Sequence, residues 1–217
     1  MAWDSFGLHW YAALWSNRGI IEALGNTLLV GAAAVVLSTA LGLVAAFWYQ
    51  AHPSRARAAL QAILFLPFVL PPIVTGLSLL VFFREAGVPR SLVTVTIGHT
   101  VFVLALVYQI LLARLQVLSP SLVEASYDLG GSALQTFRHV LLPHLASATA
   151  TAAVLAFALS FDETLITLLV TGTESTLPLR LWAMMRTGFT PDINALVTLI
   201  LAGSILVCAL AARLVRL

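Results

Sequence analysis

Long apolar runs alternate with short polar stretches along most of the 217-residue chain. A helix needs about 20 mostly apolar residues to cross a bilayer, because its backbone polar groups must all be paired within the segment. The runs that reach this length are Gly25–Tyr49, Leu60–Phe83, Val93–Ala113, Leu145–Val170 and Asn194–Leu214. The pattern predicts an all-α, polytopic membrane helix bundle with five spans.

The second run contains two consecutive prolines, Pro71 and Pro72, near its middle. They remove two backbone donors, so we expect this span to kink or break there. Such a break is tolerated where neighbouring protein or a water-filled path pairs the freed carbonyl groups. Pro71 and Pro72 are therefore candidates for lining a translocation pathway, and a packing kink is the alternative.

The segments outside the five runs must alternate between the two sides of the membrane. Residues 51–59, residues 114–144 and the C-terminal tail share one side, opposite residues 1–24, 84–92 and 171–193. The first side carries six arginines and the other side carries five. The positive-inside rule therefore favours the first side as cytoplasmic by only a small margin.

Composition agrees with lipid as the main solvent. Hydrophobic residues make up 60% of the chain and charged residues 9%, and the mean hydropathy is +1.00. This leaves too little polar surface to cover a soluble globule. The formal net charge of +2 and the scattered arginines give no basic patch for nucleic acid.

The sequence contains no recognisable catalytic motif. Its single cysteine, Cys208, offers neither a disulfide framework nor a metal-ligand cluster. A phosphate-binding loop of the GxxxxGK[ST] type is missing, as are HExxH and GxSxG motifs. We therefore expect a transport subunit that is not an enzyme and that holds no metal and no cofactor.

Asp162 and Glu163 are the only acidic residues inside any predicted span. A carboxylate in hydrocarbon is costly unless it is paired or hydrated, so both should face protein or water. One interpretation is an anionic site on a translocation pathway, with Phe161 as an apolar wall. The other is an intersubunit hydrogen bond or an ion pair with Arg180 or Arg186. Adjacent helical residues point about 100° apart, so the two acids cannot both face one pore.

Two further predictions concern single helices. His99, in the third run, is expected to hydrogen-bond between helices rather than to bind a ligand. On the opposite side from residues 114–144, the segment LRLWAMMR is expected to form an interfacial helix. Arg180 and Arg186 would lie on its wet side. Its apolar face would comprise Leu179, Trp182, Met184 and Met185.

The polar stretch between the third and fourth runs, Ser121–Pro143, is too polar to be buried in lipid. Its helix boundaries are marked by two capping boxes and a double glycine: Ser121 with Glu124, Gly130-Gly131, and Ser132 with Gln135. They predict two short helices, which we call the elbow. Apolar stripes follow both helices: Leu122, Ala125 and Leu129, then Leu134, Phe137 and Leu141. The elbow is therefore either a plug for a groove on a partner or a connector lying on the bilayer surface.

The elbow resembles the EAA signature of permease subunits of binding-protein-dependent ABC importers. That signature reads EAA, three residues, Gly, nine residues, then Ile, any residue, Leu-Pro. Every spacing matches; the departures are Ser126 in place of the second Ala and Val140 in place of Ile. The matching residues are Glu124-Ala125-Ser126, Gly130 and Val140-Leu141-Leu142-Pro143.

The resemblance implies that the elbow is a cytoplasmic coupling-helix pair seated in an ATPase subunit. The residues it assigns to coupling are Glu124, Ala125, Ser126, Gly130, Val140, Leu142 and Pro143. It further implies a multi-pass protein of the bacterial inner membrane with a homologous partner permease, two ATPase subunits and a periplasmic solute-binding protein. Residues 171–193 would then form a periplasmic loop beneath the binding protein.

Along nearly the whole chain, the sequence is similar in particular to the second permease of spermidine/putrescine-type importers. The local support is the segment HWYAALWSN and the region SFDETLITLLVTG with TLPLRLWAMMRTGFTPDINAL. A polyamine substrate is implied. Those permeases usually carry six spans, so we expect this chain to correspond to a six-span core lacking its first helix, with residues 1–24 on the outer face. Either the true start lies upstream of Met1, or the protein is a five-span member of the family.

Two other classes fit the composition. An ion-coupled secondary carrier is expected to show an inverted internal repeat, which the sequence does not display. A structural subunit of a membrane complex would leave the EAA spacing unexplained.

Overall fold

The computed structural model describes residues 9–52, 54–188, 193–203 and 205. Within these ranges the regular elements are helices, joined by short turns. A π-helical turn, Phe137–Leu141, connects α7 to α8. The helices are α1 His9–Ser16, α2 Arg18–Ala51, α3 Ala56–Val69, α4 Pro72–Glu85, α5 Leu92–Val117, α6 Pro120–Asp128, α7 Ala133–Thr136, α8 Leu142–Asp162, α9 Leu165–Val170, α10 Leu177–Thr187 and α11 Ile193–Gly203.

Among the described residues, three continuous helical stretches are long and apolar enough to cross a membrane. They are α2 with 34 residues, α5 with 26 residues, and the 30 residues Ala133–Asp162, in which α7 runs through the π turn into α8. The pair α3 and α4 is a candidate for a fourth span with a bend of 109°. The predicted all-α membrane bundle is confirmed. The fifth run is described only as α11, and its continuation to Leu214 lies outside the described residues.

The centre of the bundle is formed by α2, α5 and α8. Tyr108, Leu111 and Leu145 are fully buried there. Helices α2 and α5 approach closely at Gly42, where an added Cβ would lie 3.2 Å from Val107 Cγ1 and 3.3 Å from the Tyr108 nitrogen. Close contact at small residues is a main source of helix association in membranes, where burial against lipid-like surface gains little.

The second run is broken at its prolines, as predicted. Helix α3 ends at Val69, and α4 begins at Pro72 after extended backbone at residues 70 and 71. The Thr75 hydroxyl donates to the Pro67 carbonyl at 3.1 Å, so one group near the break is paired within the protein. Pro71 is exposed and Pro72 is half-buried.

The prediction of one helix over Leu145–Val170 is wrong. Helix α8 ends at Asp162, and Glu163 takes an extended conformation with φ −74° and ψ 107° before α9 begins at Leu165. An average of hydropathy over a whole span does not show this break, because the helices α8 and α9 on its two sides are both apolar. Helix α9 packs against α4 and α5 instead of extending α8.

The predicted helix around LRLWAMMR is present as α10, which packs against α2. The Leu177 N–H donates to Thr27 Oγ1 at 2.7 Å, and the neighbouring Asn26 amide donates to the Ser175 carbonyl at 3.0 Å. Leu179 is buried and Arg186 is exposed, as predicted. Met185, predicted on the apolar face, is exposed.

Candidate coupling elbow and pathway site

The first helix of the elbow, α6, is capped by Ser119. The Ser119 hydroxyl accepts the Ser121 N–H at 3.3 Å, and Pro120 occupies the first helical position. The predicted capping box of Ser121 with Glu124 is therefore wrong. Proline at a first helical position has a suitable fixed φ and no N–H to satisfy, so the helix starts one residue earlier than the serine predicted as its cap. Glu124 and Ala125 lie exposed on α6.

The first helix ends in a Schellman motif. Gly130 has φ +81°, the left-handed conformation predicted for the turn. The Gly131 N–H donates to the Ser126 carbonyl at 2.9 Å, and the Gly130 N–H donates to the Tyr127 carbonyl at 2.8 Å. A Cβ at position 131 would lie 2.7 Å from the Ser126 carbonyl oxygen, so the second glycine allows the close approach.

The second capping box is confirmed. The Ser132 N–H donates to Gln135 Oε1 at 2.8 Å, and the Gln135 N–H donates to Ser132 Oγ at 3.4 Å. The helix it starts is not a separate short helix, because α7 continues through the π turn into α8. The Phe137 ring, in that turn, packs edge-on against Phe47 of α2 at 5.7 Å between centroids.

A hydrogen bond between Ser126 and Thr136 joins the two arms of the elbow. Their hydroxyl oxygens are 2.8 Å apart, and Thr136 is buried. Ser126 is the position where the signature usually has alanine, which has no hydroxyl for this bond. Sequence reasoning missed Thr136. The sequence did offer a signal, because Ser126 replaces the usual alanine by a hydroxyl residue and Thr136, ten residues later, carries a second hydroxyl.

The apolar residues of the elbow divide into an inner and an outer group. Leu122, Phe137 and Leu141 are half-buried. Tyr127, Leu129 and Leu134 are 51%, 90% and 74% exposed, and we call these three residues the apolar tip. The tip takes one residue from each predicted stripe, Leu129 and Leu134, and adds Tyr127.

Hydrogen bonds tie the helix ends near the elbow to each other. Arg114 Nε donates to the His144 carbonyl at 3.0 Å, which links the end of α5 to the start of α8. Gln50 Nε2 donates to the Leu115 carbonyl at 3.2 Å, and Arg57 Nε donates to the Tyr49 carbonyl at 2.6 Å. These bonds join α2, α3, α5 and α8 to one another beside the elbow, and the Phe137 ring links the elbow itself to α2.

The last residues of the signature lie where the elbow becomes the span. Val140 is half-buried in the π turn, and Leu142 and Pro143 are exposed at the start of α8. They are therefore part of one continuous helical stretch with Asp162 at its far end.

An apolar cavity of about 490 Å³ lies at that far end, between α1, α2, α8, α10 and α11. Asp162 is exposed and lies in its wall. Phe161 lines the cavity beside it, and the Phe157 ring lies 6.1 Å from the Phe161 ring. The remaining wall is mainly aliphatic and includes Leu24, Leu28, Leu181 and Leu199.

Glu163 has a different environment. It is buried, and its Oε1 accepts the Ile166 N–H at 2.9 Å, so the carboxylate caps the start of α9. The Thr167 hydroxyl donates to the Glu163 carbonyl at 2.9 Å. In the described part of the chain neither acid is ion-paired, since the salt bridge found there joins Arg84 to Glu85. The two adjacent acids therefore have separate surroundings.

The prediction for His99 is confirmed. Its ring hydrogen-bonds the hydroxyls of Ser160 in α8 and Thr167 in α9. The pathway residues predicted from sequence therefore fall in two places. Pro71 and Pro72 lie at the α3–α4 break, whereas Phe161 and Asp162 line the cavity. Glu163 is buried next to Asp162 and does not line the cavity.

Related proteins match nearly the whole chain. Residues 20–217 match the profile of a family described as "Binding-protein-dependent transport system inner membrane component". The chain is 29% identical over 217 residues to the spermidine/putrescine transport system permease protein PotC of Haemophilus influenzae, covering 100% of this chain and 84% of that protein. It is 33% identical over 209 residues to the putrescine transport system permease protein PotI of Escherichia coli K12, covering 93% and 74%.

Solved structures share the fold. A bacterial ABC transporter involved in the import of the acidic polysaccharide alginate superposes with a TM-score of 0.79 at 15% identity, covering 99% of this chain and 85% of that one. The MetNI methionine ABC transporter in an inward-facing conformation gives 0.74 at 20% identity, covering 94% and 97%. The chain belongs to the family of inner membrane components of binding-protein-dependent transport systems, as a permease subunit of an ABC importer.

Proposed function

We propose that this permease couples to a cytoplasmic ATPase subunit through the elbow and forms part of the pathway for a polyamine. The observation that carries the coupling proposal is the apolar tip, where Leu129 is 90% and Leu134 is 74% exposed on an ordered helical pair. Exposed apolar residues on a polar segment are typical of a docking surface. ATP hydrolysis is assigned to the separate subunit, and this chain contributes no catalytic residue.

Hydrogen bonds within the elbow fit a role in coupling. The arms of the elbow are fixed by the Schellman motif at Gly130 and by the bond from Ser126 to Thr136. Closure of two ATPase subunits on ATP would pull the elbows of the two permeases together. Because α7 continues into α8 past Val140, Leu142 and Pro143, that motion would rotate the span as a rigid body.

Exchange of Leu129 for glutamate tests the coupling proposal. A carboxylate there would have to be desolvated in the ATPase groove, so we expect ATPase co-purification and solute uptake to fall by about tenfold or more. The matched control is Val88→Glu, since Val88 is an exposed apolar residue between α4 and α5, at the other end of the bundle. Equal ATPase recovery from the two variants would refute docking through the tip.

The pathway proposal rests on the environment of Asp162. A single carboxylate in the wall of an apolar cavity suits a solute that is cationic and aliphatic. Phe157 and Phe161 line the same cavity, and aromatic rings attract a cation that lies over their faces. Similarity to PotC and PotI supports a polyamine as that solute. Glu163, as the buried cap of α9, is given a structural role, and Pro71 and Pro72 a supporting one at the helix break.

The remaining assignments follow from the family. The functional unit would contain a homologous partner permease, two ATPase subunits and a periplasmic solute-binding protein, embedded in membrane lipid. Residues 114–144 would face the cytoplasm, and residues 1–24 and 171–193 the periplasm. Helix α10 would then be available to the binding protein, since Arg180 and Arg186 are exposed on it.

A further inference from the structure

His99 joins the two helices on either side of the α8–α9 break. It lies in α5 and is 1% exposed. Nδ1 is 2.7 Å from the hydroxyl of Ser160, in the last turn of α8, and Nε2 is 2.8 Å from the hydroxyl of Thr167, in the first turn of α9. One ring therefore holds both ends of the segment that contains Asp162 and Glu163.

The donors and acceptors of this bridge have one consistent arrangement. The single proton of the Thr167 hydroxyl is used on the Glu163 carbonyl, 2.9 Å away. Thr167 Oγ1 must then accept from His99, which requires the proton on Nε2. In a neutral imidazole Nδ1 is then an acceptor, so the Ser160 hydroxyl donates to it. The hydrogen bonds run in one direction from Ser160 through His99 and Thr167 to the Glu163 backbone.

Asp162 lies between the two anchored positions. It is the last residue of α8, two residues after Ser160, and the chain leaves the helix at the next residue. The Glu163 carboxylate caps α9 from inside the same segment. The orientation of the Asp162 side chain toward the cavity is therefore set by how α8 ends, and that end is tied to α5 by His99.

An apolar side chain at position 99 could not hydrogen-bond Ser160 and Thr167. Ser160 and Thr167 are 2% and 0% exposed, so the Ser160 hydroxyl would lose its partner, and the Thr167 hydroxyl would keep only the Glu163 carbonyl. Burying a polar group without a partner is unfavourable, whereas a fully satisfied network selects one packing arrangement. The His99 ring therefore fills space between the helices, and its hydrogen bonds also fix the geometry of the α8–α9 break.

We propose that His99 is a positioning residue for solute passage: its bonds to Ser160 and Thr167 hold Asp162 at the wall of the apolar cavity, although His99 is not part of that wall. This inference rests on the pathway role proposed for Asp162. It adds a residue whose effect on the solute is exerted through the backbone of α8.

Thiol labelling measures the position of residue 162 without assuming a substrate. In the assembled transporter in lipid nanodiscs, with Cys208→Ala to remove the native thiol, Asp162→Cys is labelled with a cationic methanethiosulfonate. Adding His99→Ala is expected to lower the labelling rate by about tenfold, because the end of α8 is no longer held toward the cavity. A rate within about twofold of the reference, or a higher one, would overturn the proposal.

Two variants separate positioning from general loosening. Thr94→Val removes another buried bond to α9, from the Thr94 hydroxyl to the Val170 carbonyl at 2.7 Å, together with the bonds between Thr94 and Ser91 that cap α5. It is expected to leave the labelling rate unchanged. His99→Gln retains one donor and one acceptor and is expected to restore most of the rate. If His99→Ala does not reach the membrane, Ser160→Ala takes its place in the same comparison, with the same expected decrease.

The tautomer gives a second readout. Nitrogen-15 solid-state NMR of histidine-labelled transporter, assigned by difference from His99→Gln, should show His99 protonated on Nε2 and bare on Nδ1. A ring protonated on Nδ1 and unprotonated on Nε2 would contradict the bridge. If Asp162→Cys is never labelled, the proposed pathway fails, and the tautomer then decides the bridge separately.

Discussion

In the proposed pathway, the side chain of Asp162 is the residue that would contact the solute. It is a carboxylate exposed in the wall of a largely apolar cavity, one residue away from a carboxylate that is buried as a helix cap. The two acids divide their roles because α8 ends between them. The Glu163 carboxylate accepts the Ile166 N–H, whereas Asp162 is exposed and would be free to contact a cation in the proposed pathway.

Neutralising Asp162 should therefore lower uptake of a cationic solute. We expect Asp162→Asn to reduce putrescine or spermidine uptake by about tenfold, mainly through a higher apparent KM, because one favourable charge interaction is lost. The complex should assemble as before. Glu22→Gln, at an exposed acid on α2 that does not line the cavity, is the matched control and should transport normally. Unchanged uptake kinetics for Asp162→Asn would remove the pathway role.

Residue-level prediction from sequence worked where the determinants are local. Gly130 and the pair of Ser132 and Gln135 have their predicted roles, because a left-handed turn and a capping box depend on residues close in sequence. The bond between Ser126 and Thr136 was not predicted, since it depends on how two helices meet. The separate roles of Asp162 and Glu163 were likewise decided by a helix end that hydropathy does not show.

At the level of elements, the shape of the elbow depends on one backbone conformation. Gly130 has φ +81°, and an added Cβ there would meet no atom within 4 Å. Any effect of a larger residue is therefore due to the conformation and not to crowding. A β-branched residue in this region is strongly disfavoured, by about 1–2 kcal/mol.

We expect Gly130→Val to leave the protein in the membrane but to abolish uptake and ATPase co-purification. The matched control is Gly25→Val, because Gly25 also has open space around its Cβ position and lies inside α2 without a positive φ. Uptake by cells and pull-down of the ATPase measure the two effects. Normal transport and normal ATPase recovery with Gly130→Val would show that the turn is dispensable.

The contact between α4 and α9 is a second element-level feature that depends on a glycine. A Cβ at Gly76 would lie 2.9 Å from Leu169 Cδ1 and 3.1 Å from the Ile166 Cα. Because one of these atoms is backbone, Gly76→Val should force the helices apart and destabilise the permease by about 1–3 kcal/mol. A lower midpoint of thermal unfolding for the purified transporter, relative to Gly25→Val, is the expected result. Equal midpoints would contradict the packing described.

The elements themselves were predicted from sequence with two instructive errors. The break at Pro71 and Pro72 was expected because proline removes backbone donors, and it is present. The break after Asp162 was not expected. It arises because α9 packs against α4 and α5 instead of continuing α8, and such tertiary packing is not visible in a hydropathy pattern. The second elbow helix was predicted as a separate piece, whereas α7 continues into α8.

At the scale of the whole molecule, the elbow and the cavity lie at opposite ends of one helical stretch. Ala133–Asp162 runs from the second arm of the elbow to the acid in the cavity wall. The bond from Arg114 to the His144 carbonyl and the contact of Phe137 with Phe47 fasten the elbow end of this stretch to α5 and α2. A movement imposed on the apolar tip would therefore be carried by the bundle as a body, and its far end would reach Asp162.

Photo-crosslinking from the apolar tip is the most direct test of this coupling. Leu134 is replaced by p-benzoylphenylalanine in the transporter co-expressed with its ATPase, and the same replacement at Val88 is the control. Irradiation should join the permease to the ATPase from position 134 and not from position 88. Crosslinks to the ATPase from Val88 alone, or none from Leu134 in an assembled and active transporter, would contradict the account.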